Sequence, residues 1–414
     1  MEIIKLKNGV RVVMEHMPTL RSVCLGIWIK TGSRYETRSI NGVSHFTEHM
    51  LFKGTKKRSA KDIADEMDAI GAQMNAYTTK EYTCYYARTL DEHFEKSIDV
   101  LSDMFFNSVF DPEEIEKEKN VILEEINMYE DTPDEVANDI MQHNVWVGYP
   151  LSYSVLGIKK SVNSFSSQTF IDYLKKRYTP KNIVIAVAGS FNKDNTLELV
   201  KQYFEGHQSK EDASSPGATT YTKSIATKEK DIEQLNIQLG FPGISINDES
   251  IYAMGALNTF FGGGMSSVLY QSIREKRGLA YSVYSYNSAY EDVGLFTIHA
   301  SLVKDNAKEV LATVFEEIEK MKKNKITSEQ LSKTKDQLKS YYILSLESSS
   351  SRMSNIGRSL IMLNRVLTPD QIIQRIDDIT IDDFYRVFEQ VLDPKKASLS
   401  VVGPIQNMDF EEML

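Results

Sequence analysis

The chain has 414 residues, 41% of them hydrophobic and 26% charged, with a formal net charge of -10. That length allows two or more domains, and no apolar run reaches the length of a membrane span. The acidic balance argues against nucleic acid as the main partner and is compatible with basic peptides.

Met1 to Val10 read as a strand, a turn at Asn8-Gly9 and a second strand. They carry neither a secretory signal nor an Arg/Ser-rich transit peptide, so a cytoplasmic location is expected. Cys24 and Cys84 sit in apolar, strand-like settings without ligand spacing, and read as buried thiols in a reducing compartment.

Next comes His45-Phe46-Thr47-Glu48-His49, an H-x-x-E-H segment, the inverted zinc-peptidase motif. Val43, Phe46 and Met50 recur at helical spacing, and Gly54 reads as a C-cap. Histidines four apart on a helix share one face, so both imidazoles can reach a single ion. Glu48 lies beside them, placed to take a proton from an attacking water. The other five of the seven histidines, His16, His93, His143, His207 and His299, match no ligand spacing.

Gly71 to Thr83 follow, and Tyr82 to Arg88, rich in aromatic and β-branched residues, read as a strand. A catalytic zinc needs a third protein ligand and an open fourth position. Because histidine is scarce, a carboxylate is expected. The densest acidic segment runs from Asp111 to Glu135, with eleven carboxylates against two lysines. It opens with Asp111 as N-cap, Pro112 at the first helical position and acids in the first turn. Ile115, Val121, Ile122 and Ile126 supply apolar positions. Glu118 and Glu125, seven apart, share nearly one face, and Glu124 points elsewhere. The bland alternative is a solvated acidic helix.

With these residues in place the chain resembles the pitrilysin-type inverzincins, and within them the bacterial proteins similar to the β-subunit of mitochondrial processing peptidase. That family's pattern has a glutamate ligand about 76 residues after the motif, which here is Glu125. The resemblance implies one zinc ion per chain on His45, His49 and Glu125, with Glu48 as general base. It implies that Glu118 orients a metal-bound imidazole. The choice of Glu125 over Glu124 rests on the family spacing. Gly71 to Thr83 match a family strand and turn, which implies that substrate backbone adds to an edge strand near Asn75 and Ala76. An ordinary hairpin is the simpler reading of those residues.

Gly206 to Thr222 form the clearest linker, polar and turn-rich. The halves on either side read as two copies of one unit. Thr169 to Gly189 form a helix, a proline turn and an apolar strand, and the same order recurs with Phe384, Pro394 and Leu399 to Gly403 at an offset of 214. Asp111 to Lys119 likewise resemble Thr327 to Lys335. A period this long means duplicated domains. The second copy lacks the metal chemistry: Ser250 to Phe261 hold no histidine or glutamate, and Thr334 and Tyr341 stand at the counterparts of Glu118 and Glu125.

Phe261-Gly262-Gly263-Gly264 lead into a helix ending near Arg274 to Tyr281. The glycine run lacks the lysine and spacing of a P-loop and reads as a flexible loop. By resemblance, Arg274 and Tyr281 match an Arg/Tyr pair that reaches the substrate near the scissile bond. Val268 stands where relatives commonly place arginine.

The expected architecture is α+β: two homologous domains, each a mainly antiparallel sheet covered by helices. Residues 1–207 form the active zinc-peptidase copy, 208–220 a linker, and 221–414 an inactive, substrate-assisting copy. The expected activity is that of a zinc-dependent endopeptidase acting on extended, unstructured peptides or presequence-like segments. The resemblance implies a homodimer enclosing the site in a closed chamber. The alternatives are a catalytic subunit that needs a heteromeric partner, and a non-catalytic assembly subunit of the same fold.

Overall fold

The computed structural model describes residues 2–209 and 216–413. Residues 210–215 of the expected linker lie outside the described residues. The first half of the chain runs β1 (Glu2–Lys5), β2 (Arg11–His16), β3 (Ser22–Ile29), α1 (Val43–Leu51), α2 (Ala60–Asp68), β4 (Gln73–Thr78) and β5 (Thr83–Leu90). It continues through α3 (Phe94–Asn107), α4 (Pro112–Glu130), α5 (Pro133–Val145), α6 (Lys159–Ser164), α7 (Ser167–Arg177), β6 (Ile183–Gly189) and α8 (Lys193–Phe204). The second half runs β7 (Ile225–Glu229), β8 (Leu235–Gly243), α9 (Ile251–Phe261), β9 (Ser282–Ala289), β10 (Gly294–Leu302) and α10 (Ala307–Lys323). It closes with α11 (Ser328–Ser345), α12 (Ser349–Leu363), α13 (Pro369–Asp377), α14 (Ile381–Val391) and β11 (Ser398–Gly403).

Two sheets result, in the orders β1-β2-β6-β3-β5-β4 and β7-β11-β8-β10-β9. Pairing is antiparallel except β2 with β6 and β7 with β11. The mixed, mainly antiparallel α+β architecture is the one expected. β6, with the run IVIAVAG, is buried at every position because both faces of this inner strand are covered.

Several elements repeat between the halves, although the sheets have six and five strands. Helix α7 with strand β6, and α14 with β11, repeat in the same order, and each of the two strands has one parallel neighbour. Helices α4 and α11 start one residue after Asp111 and Thr327. Asp111 Oδ1 accepts from the Glu113 amide at 2.8 Å. Thr327 Oγ1 accepts from the Gln330 amide while Gln330 Oε1 accepts from that of Thr327. On α4, Ile115, Ile122 and Ile126 are buried, but Val121 is 50% exposed and so belongs to the solvent side.

The compact units do not follow the chain linearly. One comprises Met1–Asn127, Tyr153–Gly217 and Leu344–Thr368; the other comprises Met128–Ser152, Ala218–Ile343 and Pro369–Leu414. Helix α12, from the second half, therefore covers β2, β3 and β6 of the first sheet. Trp28 Nε1 donates to Met353 Sδ at 3.3 Å, and the glycines Gly26 and Gly357 make room for Met353 and Trp28 respectively. Helix α5, from the first half, covers β8 and β11 of the second sheet. There Ser400 Oγ donates to the Ala137 carbonyl, and Tyr290 donates to Gln142 Oε1 at 2.7 Å.

This packing predicts the sign of one substitution. In an exposed helix Gly→Ala stabilises by about 1 kcal/mol. At Gly357 the new methyl would collide with the fully buried indole of Trp28. Overpacking costs about 1–3 kcal/mol, so Gly357→Ala is expected to lower the denaturant midpoint.

Candidate metal centre

Helix α1 begins without a side-chain cap of its own. Its N-cap is Gly42 at φ 96°, a left-handed conformation that glycine adopts freely. A Cβ there would also lie 2.8 Å from Gly157 Cα. The free amides are met instead by Glu36, which is buried. Its Oε2 accepts from Gly42 N at 2.7 Å and Asn41 Nδ2 at 2.9 Å. Its Oε1 accepts from Ser44 N at 2.8 Å and Ser44 Oγ at 2.6 Å. Burial pushes this carboxyl pKa up, while those four donors oppose the rise. A carboxylate here also complements the positive end of the helix dipole. Val43, Phe46, Met50 and Leu51 anchor the other side of α1 in the core, with Phe46 against Phe165 and Phe170.

So fixed, α1 presents His45 and His49 together, ring centroids 4.6 Å apart. Helix α4 brings Glu125 opposite them. His45 Nε2 and His49 Nε2 lie 3.6 and 3.8 Å from Glu125 Oε2, and one donor atom from each residue falls within 4.8 Å of the others. Donors each about 2.1 Å from a tetrahedral zinc would stand about 3.4 Å apart, so this set fits zinc with small adjustments. It is the one such group of histidine, cysteine or carboxylate residues among the described residues. Glu124 is exposed, on another face of α4.

The surroundings tune each group. His49 Nδ1 lies 2.8 Å from Glu118 Oε1, and Lys53 Nζ lies 2.6 Å from Glu118 Oε2. An ionised Glu118 accepts from His49 Nδ1–H, which leaves the lone pair at Nε2 facing Glu125. Burial pulls the His49 pKa down, but the bond and charge of Glu118 outweigh it and the pKa is raised. Burial pushes Glu118 up, but His49 and Lys53 outweigh that and hold it below the usual glutamate range. His45 has no such companion: burial, then the neighbouring His49, lower its pKa to about 3. It is neutral at physiological pH, the form that binds metal. Its Nδ1 is buried without a hydrogen-bond partner among the described residues. Glu48 is raised by burial, against a bond from Thr78 Oγ1 to its Oε2 at 2.5 Å.

A depressed carboxyl pKa stabilises the fold above its unfolded value and ceases to do so as pH falls through the folded one. The metal-free stability difference between wild type and Glu118→Gln is thus expected to be clear at neutral pH. It should shrink below about pH 4.3, the ordinary glutamate value, and vanish in stronger acid. Urea unfolding at several pH values checks this.

Asn75 and Ala76 lie on β4, the edge strand of the first sheet. Asn75 is exposed, and its Oδ1 accepts from the Ala76 amide at 2.8 Å. Arg274 and Tyr281 belong to the other unit. Arg274 stands on a short π-helical turn, Tyr270–Glu275, with its guanidinium 5.7 Å from the Tyr281 ring centroid and 5.0 Å from that of Tyr270. Both Arg274 and Tyr281 are exposed. In that unit Thr334 is buried and Tyr341 exposed.

Three residues escaped the sequence reading: Glu36, Lys53 and Thr78. Lys53 had a signal, since it follows His49 by four residues and so faces the same way. Glu36 and Thr78 had none, because their contacts come from a loop and a strand packed onto α1.

Residues 11–159 match the model of the insulinase family, peptidase family M16, and residues 164–338 match that of the peptidase M16 inactive domain. The zinc protease YmxG of Bacillus subtilis is 42% identical over 97% of this chain and 98% of its own length. The chain belongs to peptidase family M16. A zinc protease of the same family resemblance, SCO5738 of Streptomyces coelicolor, is 39% identical over 97% of this chain and 89% of its own. In fold, the chain is similar to a protease from Helicobacter pylori, with a TM-score of 0.89, 24% identity, and coverage of 97% of this chain and 99% of that one. No helix among the described residues is long and apolar enough to cross a membrane.

Proposed function

We propose that the chain is a zinc-dependent endopeptidase whose first half is the catalytic copy and whose second half is an inactive, substrate-assisting copy. The observation that carries this reading is the convergence of His45 Nε2, His49 Nε2 and Glu125 Oε2 beside a half-buried Glu48. His45, His49 and Glu125 would hold one ion. Zinc, when bound, supplies a Lewis acid for the peptide carbonyl and lowers the pKa of water.

The remaining chemistry belongs to the chain. Glu48 takes a proton from the attacking water and returns it to the leaving amide nitrogen. A carboxylate suits both transfers, because it can accept the proton as the base and hand it on as the acid. Glu118 keeps His49 in the ligating tautomer. The edge of β4 at Asn75 and Ala76 receives the substrate backbone as an added strand, which gives affinity with little demand on side chains. Arg274 and Tyr281 supply a cation and a phenol for substrate carbonyls and the developing oxyanion. A homodimer enclosing the site would select extended, unstructured peptides or presequence-like segments over folded proteins. A cytoplasmic location goes with this reading.

The test is cleavage of an unstructured, arginine-containing peptide by the purified chain, with bound zinc quantified and the oligomeric state measured. Cleavage that stops on chelation and returns with zinc supports the proposal. A zinc-loaded chain that cleaves none of several such peptides overturns it, in favour of a heteromeric partner or a non-catalytic role.

A further inference from the structure

Glu48 is held by a residue that the catalytic constellation does not include. Strand β4 alternates, with Met74 and Ala76 packed into the core of the first unit and Asn75 outward. Thr78 continues the Met74–Ala76 face, the side on which α1 lies against β4. Its Oγ1 is 2.5 Å from Glu48 Oε2 and 3.3 Å from Thr83 Oγ1. The protons can be assigned. Thr83 Oγ1 donates to the Thr31 carbonyl at 3.1 Å, since a carbonyl can only accept. An ionised Glu48 can likewise only accept and is the nearer oxygen, so the Thr78 proton goes to Glu48 Oε2 and the Thr78–Thr83 approach carries no hydrogen bond. Glu48 Oε1 has no hydrogen bond to any described residue, so one oxygen is fixed and the other left open.

Resting on the reading of Glu48 as general base, we infer that Thr78 is a positioning residue for it. Thr78 locks the carboxylate through Oε2 and reserves Oε1 for the water proton. Because Thr78 stands two residues beyond Ala76 on the same strand, it also ties the base to the strand that receives substrate. A peptide added to β4 is thereby registered against the base through a single rigid element.

The experiment compares Thr78→Val, Thr78→Ala and Thr78→Ser with wild type and Glu48→Gln, on one peptide substrate. It reads kcat and KM separately, bound zinc, and thermal midpoint. Misplacing a reacting group by about 1 Å costs on the order of 100-fold. Thr78→Val and Thr78→Ala are therefore expected to lose about 10- to 100-fold in kcat. KM and zinc content should hold, and Thr78→Ser should restore the rate. A purely structural threonine would lower the thermal midpoint without this split, and the serine variant would not rescue kcat selectively. Wild-type kcat in either hydroxyl-free variant, with Glu48→Gln inactive, overturns the inference and leaves the base assignment standing. Zinc loss, or a change confined to KM, also overturns it, placing Thr78 in service of the metal helix or the substrate strand. An active Glu48→Gln overturns both readings together. Should one hydroxyl-free variant fail to fold, the other decides.

Discussion

Glu48→Gln is expected to abolish measurable peptide hydrolysis while leaving zinc bound. Glutamine keeps the size of the side chain and can still accept from Thr78, but it cannot carry a proton from water to the leaving nitrogen. General acid–base catalysis contributes about 100- to 10,000-fold, and here one group would perform both transfers. The loss should therefore reach the upper end of that range, in kcat rather than KM. Zinc retention follows from geometry, because the three donor atoms belong to His45, His49 and Glu125. Single-turnover cleavage with a fluorogenic peptide, alongside metal analysis of the same preparation, checks both halves. An active variant would remove Glu48 from the mechanism, and a zinc-free one would make the result uninterpretable as base catalysis.

The second large effect separates two adjacent glutamates. Glu125→Ala is expected to lose zinc, because it deletes the only carboxylate oxygen within reach of both Nε2 atoms among the described residues. Glu124→Ala is expected to keep zinc and activity, since its side chain is exposed on another face of α4. Surface substitutions of that kind usually change stability by less than about 0.5 kcal/mol. Competition with a chromogenic chelator gives both affinities. Zinc loss in the Glu124 variant with retention in the Glu125 variant would reverse the assignment.

These two neighbours also show what the sequence makes legible. On a regular helix the step from Glu118 to Glu125 is two turns, so their shared face can be read before any coordinates exist. The start of α4 is equally legible, because Asp111 as cap, Pro112 at the first position and the acids of the first turn all agree. The copy in α11 followed from the same residue pattern. Val121 was misread because an apolar residue at the margin of a helical stripe can fall on either side. The support of α1 was illegible for a different reason. Glu36 acts through a loop, and Thr78 acts through the stacking of a helix on a strand thirty residues away. No local period records either contact. The same holds for α5 and α12: their amphipathic patterns mark an apolar face without naming the sheet that it covers.

That last placement governs the order in which the molecule can be made. Chains emerge from the ribosome N-terminus first, and domains generally fold as units once complete. The sheet beneath the candidate metal centre is covered on one face by α12, which ends at Leu363. Until those residues appear, Trp28 has Tyr77 and Tyr82 beside it but lacks the cover of Met353 and Gly357. The motif at His45 to His49 is thus synthesised early, yet the unit that carries it closes late, through pairings some 325 residues apart. Such long-range closure slows folding, and it ties the maturation of the first half of the chain to completion of the second.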